Sequence, residues 1–239
     1  MTSQHTIALV TGANKGIGRE TVRRLAEQGW TVWLGSRDPD RGRQAARELA
    51  AAGDVRPVPL DVTSDESVAT AVETIGAEGG RLDVLVNNAG IGGAWVGPED
   101  TTPAHFLPVF GVNLLGPVRT THAFLPLLRR SAQPRVVMVS SGMGSFGITT
   151  DPERIESTIG GLVYPASKSA LNMVTTQYAK ALAGFQVNAV DPGYTATDLN
   201  GHRGYQTVAE GAEAVVRAAG LPVDGPTGAF FDRSGAVPW

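Results

Sequence analysis

The 239-residue sequence predicts one α/β domain, a doubly wound parallel β-sheet with helices on both faces. Short β-branched runs alternate with longer helical patterns along the whole chain. Most of these runs are continuously apolar, which is typical of strands buried on both sides. No internal repeat, low-complexity segment or linker divides the chain. We therefore predict a single domain spanning residues 1–239.

The predicted strands share a short length and a high content of valine, leucine and other strand-forming residues. They cover residues 6–10, 31–35, 55–60, 82–87, 135–140, 185–190 and 227–232.

The first two predicted helices carry recognisable end signals. One covers residues 16–28, begins at a glycine-rich turn and ends at Gly29. The second covers residues 39–51, with Asp38 as its N-cap and Pro39 at its first position.

Capping signals also mark later helices. Thr63 with Glu66 and Thr207 with Glu210 fit the capping-box spacing. A long helix is predicted over residues 102–129.

Composition excludes several function classes. A net charge of −3 gives no electrostatic footprint for nucleic acid and no polybasic membrane patch. The absence of cysteine excludes disulfides, zinc–cysteine sites and thiol catalysis, and the four histidines have no metal-ligand spacing. The N-terminal stretch has no signal-peptide pattern and no apolar run is long enough to span a bilayer. We expect a cytoplasmic protein without a metal, a membrane or a nucleic-acid partner.

The stretch TGANKGIG, residues 11–18, joins the first predicted strand to the first predicted helix. Gly12, Gly16 and Gly18 lie where a tight turn lets a pyrophosphate approach the backbone. The helix start adds free N–H groups and a favourable dipole. The position of this stretch favours a dinucleotide site over an ordinary strand–helix turn.

Several motifs follow in a fixed order. After TGANKGIG come DV at 61–62, NNAG at 87–90, Asn113, the serine pair 140–141, Tyr164 with Lys168, and DPG at 191–193. In these motifs the sequence resembles the classical short-chain dehydrogenase/reductase family over nearly its whole length. TGANKGIG, SRD and NNAGI are most similar to the carbonyl-reductase branch. The resemblance implies a Rossmann-type coenzyme domain with the substrate site at the carboxyl ends of the strands.

The end of the second strand discriminates between coenzymes, because it meets the adenosine ribose. Ser36 and Arg37 stand there, and a guanidinium can donate two parallel hydrogen bonds to the 2′-phosphate of NADP. Lys15 adds a second cation, and Arg41 reaches from the next turn. Asp38 would repel the phosphate unless it serves as the N-cap. We predict NADP(H), although Arg37 as a solvated charge stays an alternative.

The resemblance implies further coenzyme contacts from the turn to the nicotinamide end, with Asp61 and Val62 at the adenine and Thr197 at the carboxamide. The alternative to coenzyme binding by NNAG and DPG is that each forms an ordinary turn. The complete set of predicted contacts is Gly12, Asn14, Lys15, Gly16, Ile17, Gly18, Ser36, Arg37, Arg41, Asp61, Val62, Asn87, Ala89, Gly90, Tyr164, Lys168, Pro192, Gly193, Thr195 and Thr197.

Tyr164 and Lys168, in YPASK, are four residues apart and share one face of a predicted helix. A phenol has a pKa of about 10, and a nearby cation lowers that pKa toward the working range. The pair therefore predicts a proton donor beside the charge that tunes it. Taken alone, the spacing also fits a surface pair that mildly stabilises a helix.

The resemblance assigns two more catalytic roles. The second serine of the pair, Ser141, would orient the substrate oxygen, with Ser140 as the neighbouring alternative. Asn113, within the long helix, would hold a water-mediated proton relay to Lys168. A buried asparagine satisfied by backbone is the alternative reading.

The sequence thus predicts NADPH-dependent, reversible reduction of a small-molecule ketone or aldehyde, with the proton from Tyr164. The alternatives are an NAD-dependent alcohol or hydroxysteroid-type dehydrogenase, a non-catalytic dinucleotide sensor and, more distantly, lyase or epimerase chemistry. Segments 142–163 and 198–206 would form the substrate pocket, with Met143, Phe146, Ile148 and Tyr194 as apolar walls. The glycine-flanked segment before Tyr164 is a candidate lid. Because it borders a helix that family members use to pair subunits, a homo-oligomer is favoured.

Overall fold

A computed structural model of the chain describes residues 5–239, so the start of the predicted domain, residues 1–4, lies outside the described part. All seven predicted strands are present, although the last is reduced to two residues. The strands are β1 (Ile7–Val10), β2 (Thr31–Ser36), β3 (Val55–Pro59), β4 (Val84–Asn87), β5 (Arg135–Val139), β6 (Gln186–Val190) and β7 (Phe230–Phe231).

The strands form one parallel sheet in the order β3-β2-β1-β4-β5-β6-β7. The chain reverses its direction of winding between β1 and β4. Open α/β sheets bind ligands outside the carboxyl ends of their strands at such a switch point. The topology therefore puts residues 11–18, which follow β1, beside residues 87–90 at the end of β4.

Helices connect the strands and cover both faces of the sheet. They are α1 (Gly16–Glu27), α2 (Pro39–Glu48), α3 (Asp65–Gly79), α4 (Pro103–Phe110), α5 (Gly116–Leu128), α6 (Phe146–Thr149), α7 (Val163–Ala181) and α8 (Val208–Ala219). Short 3₁₀ segments cover Ala50–Ala52, Pro98–Asp100, Gly142–Gly144, Ile155–Thr158 and Asp198–Asn200.

Two apolar cores lie on opposite faces of the sheet. On one face α1, α2 and α8 pack against the strands, with Leu25 and Val215 fully buried. On the other face α3, α5 and α7 supply Ile75, Phe124 and Leu171. Strands buried on both sides explain the continuous apolar runs in the sequence.

Local end signals were partly right. Asp38 caps α2, its Oδ1 accepting from the backbone N of Asp40 and of Arg41. The Thr207–Glu210 box is present at the start of α8.

The predicted capping box of Thr63 with Glu66 is not formed. Ser64 caps α3, because its Oγ accepts from Ser67 N at 3.1 Å, while Thr63 donates to Asp61 at the end of the preceding loop.

The long helix predicted over 102–129 is continuous but changes its winding in the middle. Residues Gly111–Leu115 form a π-helical turn between α4 and α5. Such a turn inserts an extra residue and is often found at functional sites. Here it carries Asn113, which is buried.

Candidate active site

The glycine turn after β1 packs directly against the end of β4. Gly12 has a φ of +62°, and a Cβ there would lie 2.8 Å from the Cα of Ala89. A Cβ on Gly18 would lie 2.4 Å from Nδ2 of Asn88. Any side chain at these positions would force the two segments apart.

The first turn of α1 is open to an anion. Gly16 begins the helix, Lys15 at the N-cap contributes no side-chain cap, and the first turn contains no acidic residue. The backbone N–H groups and the positive end of the helix dipole therefore face the crevice beside β4, and no carboxylate of that turn competes for them. These residues fit a pyrophosphate group.

Within NNAG the two asparagines have different roles. Asn88 Nδ2 donates to the carbonyl oxygens of Thr11 and Gly12, at 2.8 and 3.1 Å, and so ties β4 to the glycine turn. Asn87 Nδ2 donates to Thr121, and its Oδ1 accepts from Thr120 at 2.6 Å. The side chain of Asn87 is thus directed toward α5 and away from the predicted coenzyme site. The structural role of Asn88, the next residue of the motif, was not predicted from the sequence.

At the end of β2, Arg37 is exposed and forms no ion pair within residues 5–239. Ser36 is buried, and its Oγ donates to the carbonyl oxygen of Asp38 at 2.8 Å. Arg41 lies 3.3 Å from an oxygen of Asp38. Because Asp38 is occupied by the start of α2 and by Arg41, its charge is partly neutralised beside Arg37.

Lys15 was predicted to lie with Arg37 at the 2′-phosphate, but its side chain is directed elsewhere. Its Nζ forms an ion pair with Asp198 Oδ2 at 2.6 Å, on the loop that follows β6. His202 also contacts that carboxylate, at 2.8 Å. The salt bridge crosses the mouth of the crevice because the carboxyl ends of β1 and β6 open to the same side of the parallel sheet.

Asp61 and Val62 follow β3 at the same edge of the sheet. Burial raises the pKa of the Asp61 carboxyl, but hydrogen bonds from Thr63 and the charges of Arg37 and Arg119 outweigh it, so the pKa is lowered overall. Val62 is buried against Gly116 of α5. Asp61 and Arg37 therefore share the edge predicted for the adenosine.

Tyr164 and Lys168 lie in the first turns of α7 and face the same space. Lys168 is 4 % exposed, its Nζ donates to the carbonyl oxygen of Val139 at 2.8 Å, and it lies 5.6 Å from the centre of the Tyr164 ring. The pair is consequently part of the interior of the crevice. The alternative of a surface pair is excluded by this burial.

The structure separates the two serines. Ser140 is buried and donates to Asn172 Oδ1 of α7, which fixes its hydroxyl inside the protein. Ser141 contacts the Tyr164 hydroxyl, and its Oγ also accepts from Met143 N at 3.2 Å. Of the two, Ser141 is the one that shares a space with Tyr164.

The turn after Ser141 reaches α7 because of one glycine. A Cβ on Gly144 would lie 2.6 Å from the backbone carbon of Lys168. Asn172 and Ser169 then bind the Gly144 carbonyl oxygen at 3.1 and 2.9 Å. These contacts hold the turn after β5 against α7.

Asn113 binds backbone on the opposite side of the crevice. Its Oδ1 accepts from Ile91 N, and its Nδ2 donates to Ile91 O, both at 2.9 Å, and to Ser167 Oγ at 3.1 Å. Asn113 and Lys168 both lie next to Gly90. A Cβ built on Gly90 would be 3.5 Å from Asn113 Oδ1 and 3.7 Å from Lys168 Nζ. Asn113 thus fits the backbone-satisfied reading and also adjoins the lysine.

Burial is the largest influence on the pKa of Tyr164 and on that of Lys168. It raises the pKa of the Tyr164 phenol to about 12, with a hydrogen bond from Ser141 opposing and the charge of Asp191 adding to the rise. Burial also lowers the pKa of Lys168 to about 8, against the opposite effect of Asp191. The expectation that Lys168 lowers the pKa of Tyr164 is not met in this structure. Burial is the largest cause of the rise, and the Lys168 ammonium, which donates to the Val139 carbonyl oxygen, does not offset it.

The predicted nicotinamide end follows β6. Gly193 has a φ of +71°, and its Cα faces the side-chain amide of Gln206. The Oε1 of Gln206 is buried and has no hydrogen-bond partner in the described residues. Thr195 is buried and donates to the carbonyl oxygen of Pro192. Thr197 caps the short helix Asp198–Asn200. The Gln206 Oε1 could accept a hydrogen bond from the carboxamide of a nicotinamide ring, so these residues fit that group.

A tryptophan that was not predicted from the sequence lies next to Tyr164. Trp95 stands 6.3 Å from Tyr164, ring centre to ring centre, and the two line a small pocket with Leu162. A Cβ on Gly161 would lie 2.8 Å from the indole ring. No motif marks Trp95, because it lies in an irregular glycine-rich segment far from Tyr164 in sequence.

Two of the expected apolar walls differ in exposure. Ile148 is buried in the protein, at 3 % exposure, whereas Phe146 is 73 % exposed. Between them, Gly147 packs against Pro238 and donates its N–H to the carbonyl oxygen of Trp239.

Two further properties follow from residues 5–239. No group of three or more histidine, aspartate or glutamate side chains there has a metal-binding arrangement. Within the same residues, no helix has the length and apolar character needed to cross a bilayer.

Comparison with known proteins gives consistent matches. A family model described as short chain dehydrogenase matches residues 6–207. The (+)-neomenthol dehydrogenase of Arabidopsis thaliana is 37 % identical over 282 residues, covering 95 % of each chain. Because that alignment is longer than the 239 residues here, the plant protein contains inserted residues.

Solved structures agree in fold. Salutaridine reductase from Papaver somniferum has a TM-score of 0.83 at 31 % identity and covers 95 % of this chain and 99 % of its own. An NADPH-bound carbonyl reductase from chicken fatty liver has a TM-score of 0.87 at 28 % identity, with 98 % and 99 % covered.

Proposed function

Because the chain belongs to the short-chain dehydrogenase family, we propose that it reduces a ketone or aldehyde to an alcohol with NADPH. The observation that carries the proposal is the group formed by Ser141, Tyr164 and Lys168. These side chains come together beside the glycine turn, at the carboxyl ends of the strands. Oxidoreductase activity is the function of the family. The coenzyme and the direction are the finer parts of the proposal.

Proton donation falls to Tyr164. Its pKa of about 12 keeps the phenol protonated at neutral pH, so it is ready to give a proton to a developing alkoxide. The Ser141 hydroxyl donates a hydrogen bond to the same carbonyl oxygen and fixes its position beside Tyr164. Bound NADPH supplies the hydride to the carbonyl carbon.

Lys168 restores the proton. With a pKa of about 8, its ammonium group exchanges protons close to neutral pH, which an ordinary lysine does not. Asn113 lies next to it across Gly90 and would hold the water through which a proton reaches the lysine. After each turnover Tyr164 is thereby reprotonated.

The preference for NADPH is supported by the edge of β2. Arg37 is exposed there and has no carboxylate partner within the described residues, while Asp38 is held by α2 and Arg41. A free guanidinium is well suited to a 2′-phosphate. The NADPH-bound carbonyl reductase with the same fold is consistent with this choice.

The substrate side favours an apolar ketone. Trp95 and Leu162 form walls beside Tyr164, and both are partly exposed, at 53 % and 44 %. Apolar walls with only a few polar groups bind ligands through their hydrocarbon surface and orient them through one oxygen. The names of two related proteins, a neomenthol dehydrogenase and a salutaridine reductase, are compatible with such substrates.

The test is coenzyme consumption with a panel of carbonyl compounds. Cyclic apolar ketones, linear aldehydes and quinones are each supplied with NADPH and with NADH, and kcat/KM is compared. We expect turnover of cyclic apolar ketones with a clear preference for NADPH. Turnover only with NADH would overturn the coenzyme assignment, and coenzyme binding without turnover of any compound would favour a dinucleotide sensor.

A further inference from the structure

Two cations, Lys15 and Arg37, begin at the carboxyl ends of neighbouring strands. Lys15 is the N-cap of α1, at the end of the glycine turn that follows β1. The backbone N of Ala13 in that turn donates to the carbonyl oxygen of Gly35 at 2.8 Å, and Gly35 lies two residues before Arg37. Because β1 and β2 are paired in the sheet, the backbones of Lys15 and Arg37 lie near each other.

The side chain of Lys15 nevertheless extends to the other side of β1. Its Nζ lies 2.6 Å from Oδ2 of Asp198, on the loop after β6. In the sheet order β2 stands on one side of β1, and β6 stands on the other side, beyond β4 and β5. The ammonium group is therefore directed away from the β2 edge, where Arg37 stands.

The loop that carries Asp198 is held in place by contacts that do not involve Lys15. Thr197 forms a capping box with Asn200 at the start of the short helix that begins at Asp198. The backbone N of His202 donates to the carbonyl oxygen of Thr197 at 2.9 Å. A Cβ on Gly16 would lie 3.6 Å from Cγ2 of Thr197, so the loop lies against the glycine turn. The carboxylate is thus presented to Lys15 from a fixed position.

The ion pair is exposed to solvent. The hydrogen bond from Lys15 lowers the pKa of the Asp198 carboxyl, and the charge of Lys15 and a hydrogen bond from His202 act in the same direction. The side chains of Lys15 and Asp198 are 59 % and 55 % exposed, so the pair contributes little to stability. Its consequence for binding is larger, because an ammonium that already has an anion gains little by exchanging it for another.

We propose that Asp198 is a residue that determines coenzyme specificity: it engages Lys15 and so leaves recognition of the NADPH 2′-phosphate to Arg37. The proposal rests on the proposed function, in which Arg37 binds that phosphate. While Asp198 is present, Lys15 would reach the phosphate only by giving up one anion for another. Without the carboxylate, the ammonium would add a charge-assisted hydrogen bond to a group that NADH lacks.

The test compares the dissociation constants of NADPH and NADH, measured by titration of coenzyme fluorescence. In Asp198→Asn we expect the preference for NADPH, given by the ratio of the two constants, to rise roughly three- to tenfold. Asp224→Asn is the control for net charge, because it makes the same change at an exposed residue before β7, at the amino ends of the strands, and should not alter the ratio. An unchanged ratio in Asp198→Asn would overturn the proposal.

Variants of Lys15 identify the path of the effect. Lys15→Met should weaken NADPH and NADH alike, since a positive charge near the pyrophosphate is lost for both, and the ratio should stay within about twofold of wild type. In the double variant with Asp198→Asn, the ratio should return to that of Lys15→Met. A fall of the ratio in Lys15→Met as large as in Arg37→Asp would show that Lys15 leaves Asp198 for the phosphate, against the proposal. If Asp198→Asn weakens both coenzymes equally, the ion pair closes the loop over the coenzyme and the specificity role fails.

A second measurement isolates the adenosine end of the coenzyme. Adenosine 2′,5′-bisphosphate and 5′-AMP differ only in the 2′-phosphate, and calorimetry gives their affinities without turnover. Asp198→Asn should raise the ratio of these affinities by the same factor as for the whole coenzymes. A gain confined to the whole coenzymes would assign the effect to the nicotinamide end and overturn the proposal. If wild type binds NADPH but reduces no ketone, the catalytic part of the proposed function fails, while the ratios still decide the role of Asp198.

Discussion

The crevice has two unlike sides. On the glycine side, residues 11–18 and 87–90, backbone touches backbone: Gly12 lies against Ala89, and Asn88 binds the carbonyl oxygens of Thr11 and Gly12. On the loop side, residues 92–101 and 141–162, contacts are made by side chains such as Trp95 and Leu162, which are partly exposed. Tyr164 and Lys168 stand where the two sides meet.

This difference separates the requirements of two ligands. A dinucleotide is the same molecule in every turnover, and backbone N–H groups held by close packing suit its phosphates. A substrate pocket determines specificity, and side chains on loops can change without disturbing the sheet. Changes on the glycine side should therefore affect the coenzyme, and changes on the loop side should affect the substrate.

The largest effect is expected where the sides meet. Tyr164→Phe removes only the hydroxyl, so binding on both sides should persist while kcat falls roughly 10²- to 10⁴-fold, the contribution of a positioned acid. Steady-state kinetics and coenzyme titration measure the two quantities. Tyr178→Phe, on the same helix, is the matched control and should retain turnover. Near-normal turnover in Tyr164→Phe would remove it from the role of proton donor.

A smaller effect is expected on the glycine side. Arg37→Asp replaces the partner of a 2′-phosphate by a repelling charge, so kcat/KM should fall roughly 10- to 100-fold with NADPH and far less with NADH. The control is Arg43→Asp, which makes the same charge change on α2, where Arg43 pairs with Asp40. The interpretation fails if wild type already prefers NADH, or if both coenzymes are weakened equally.

The smallest effect is expected on the loop side. Trp95→Ala removes an apolar wall beside Tyr164 and should raise KM for a bulky apolar ketone by roughly tenfold, with coenzyme affinity unchanged. Val223→Ala changes an exposed apolar residue on the loop before β7, at the other edge of the sheet, and should change neither constant. A change in NADPH affinity in Trp95→Ala would show that the two sides are not independent.

Much of the glycine side was predictable because its signals are local. A strand, a glycine turn and a helix follow one another within twenty residues, and parallel strands put their carboxyl ends together. The order of motifs then indicated Tyr164, Lys168 and Asn113. Asp38 as an N-cap was likewise predictable, because a cap contacts its own helix.

The sequence by itself determined the parallel sheet and the pairing of Tyr164 with Lys168, since apolar periodicity and spacing along one helix are properties of neighbouring residues. The tertiary structure alone decided the rest. It directed the Asn87 side chain toward α5, paired Lys15 with Asp198, bound Ser140 to Asn172 and brought Trp95 and Asp191 near Tyr164. It also reversed the expected acidity of Tyr164, because the loss of hydration depends on what surrounds a side chain in space, which spacing along the chain does not encode.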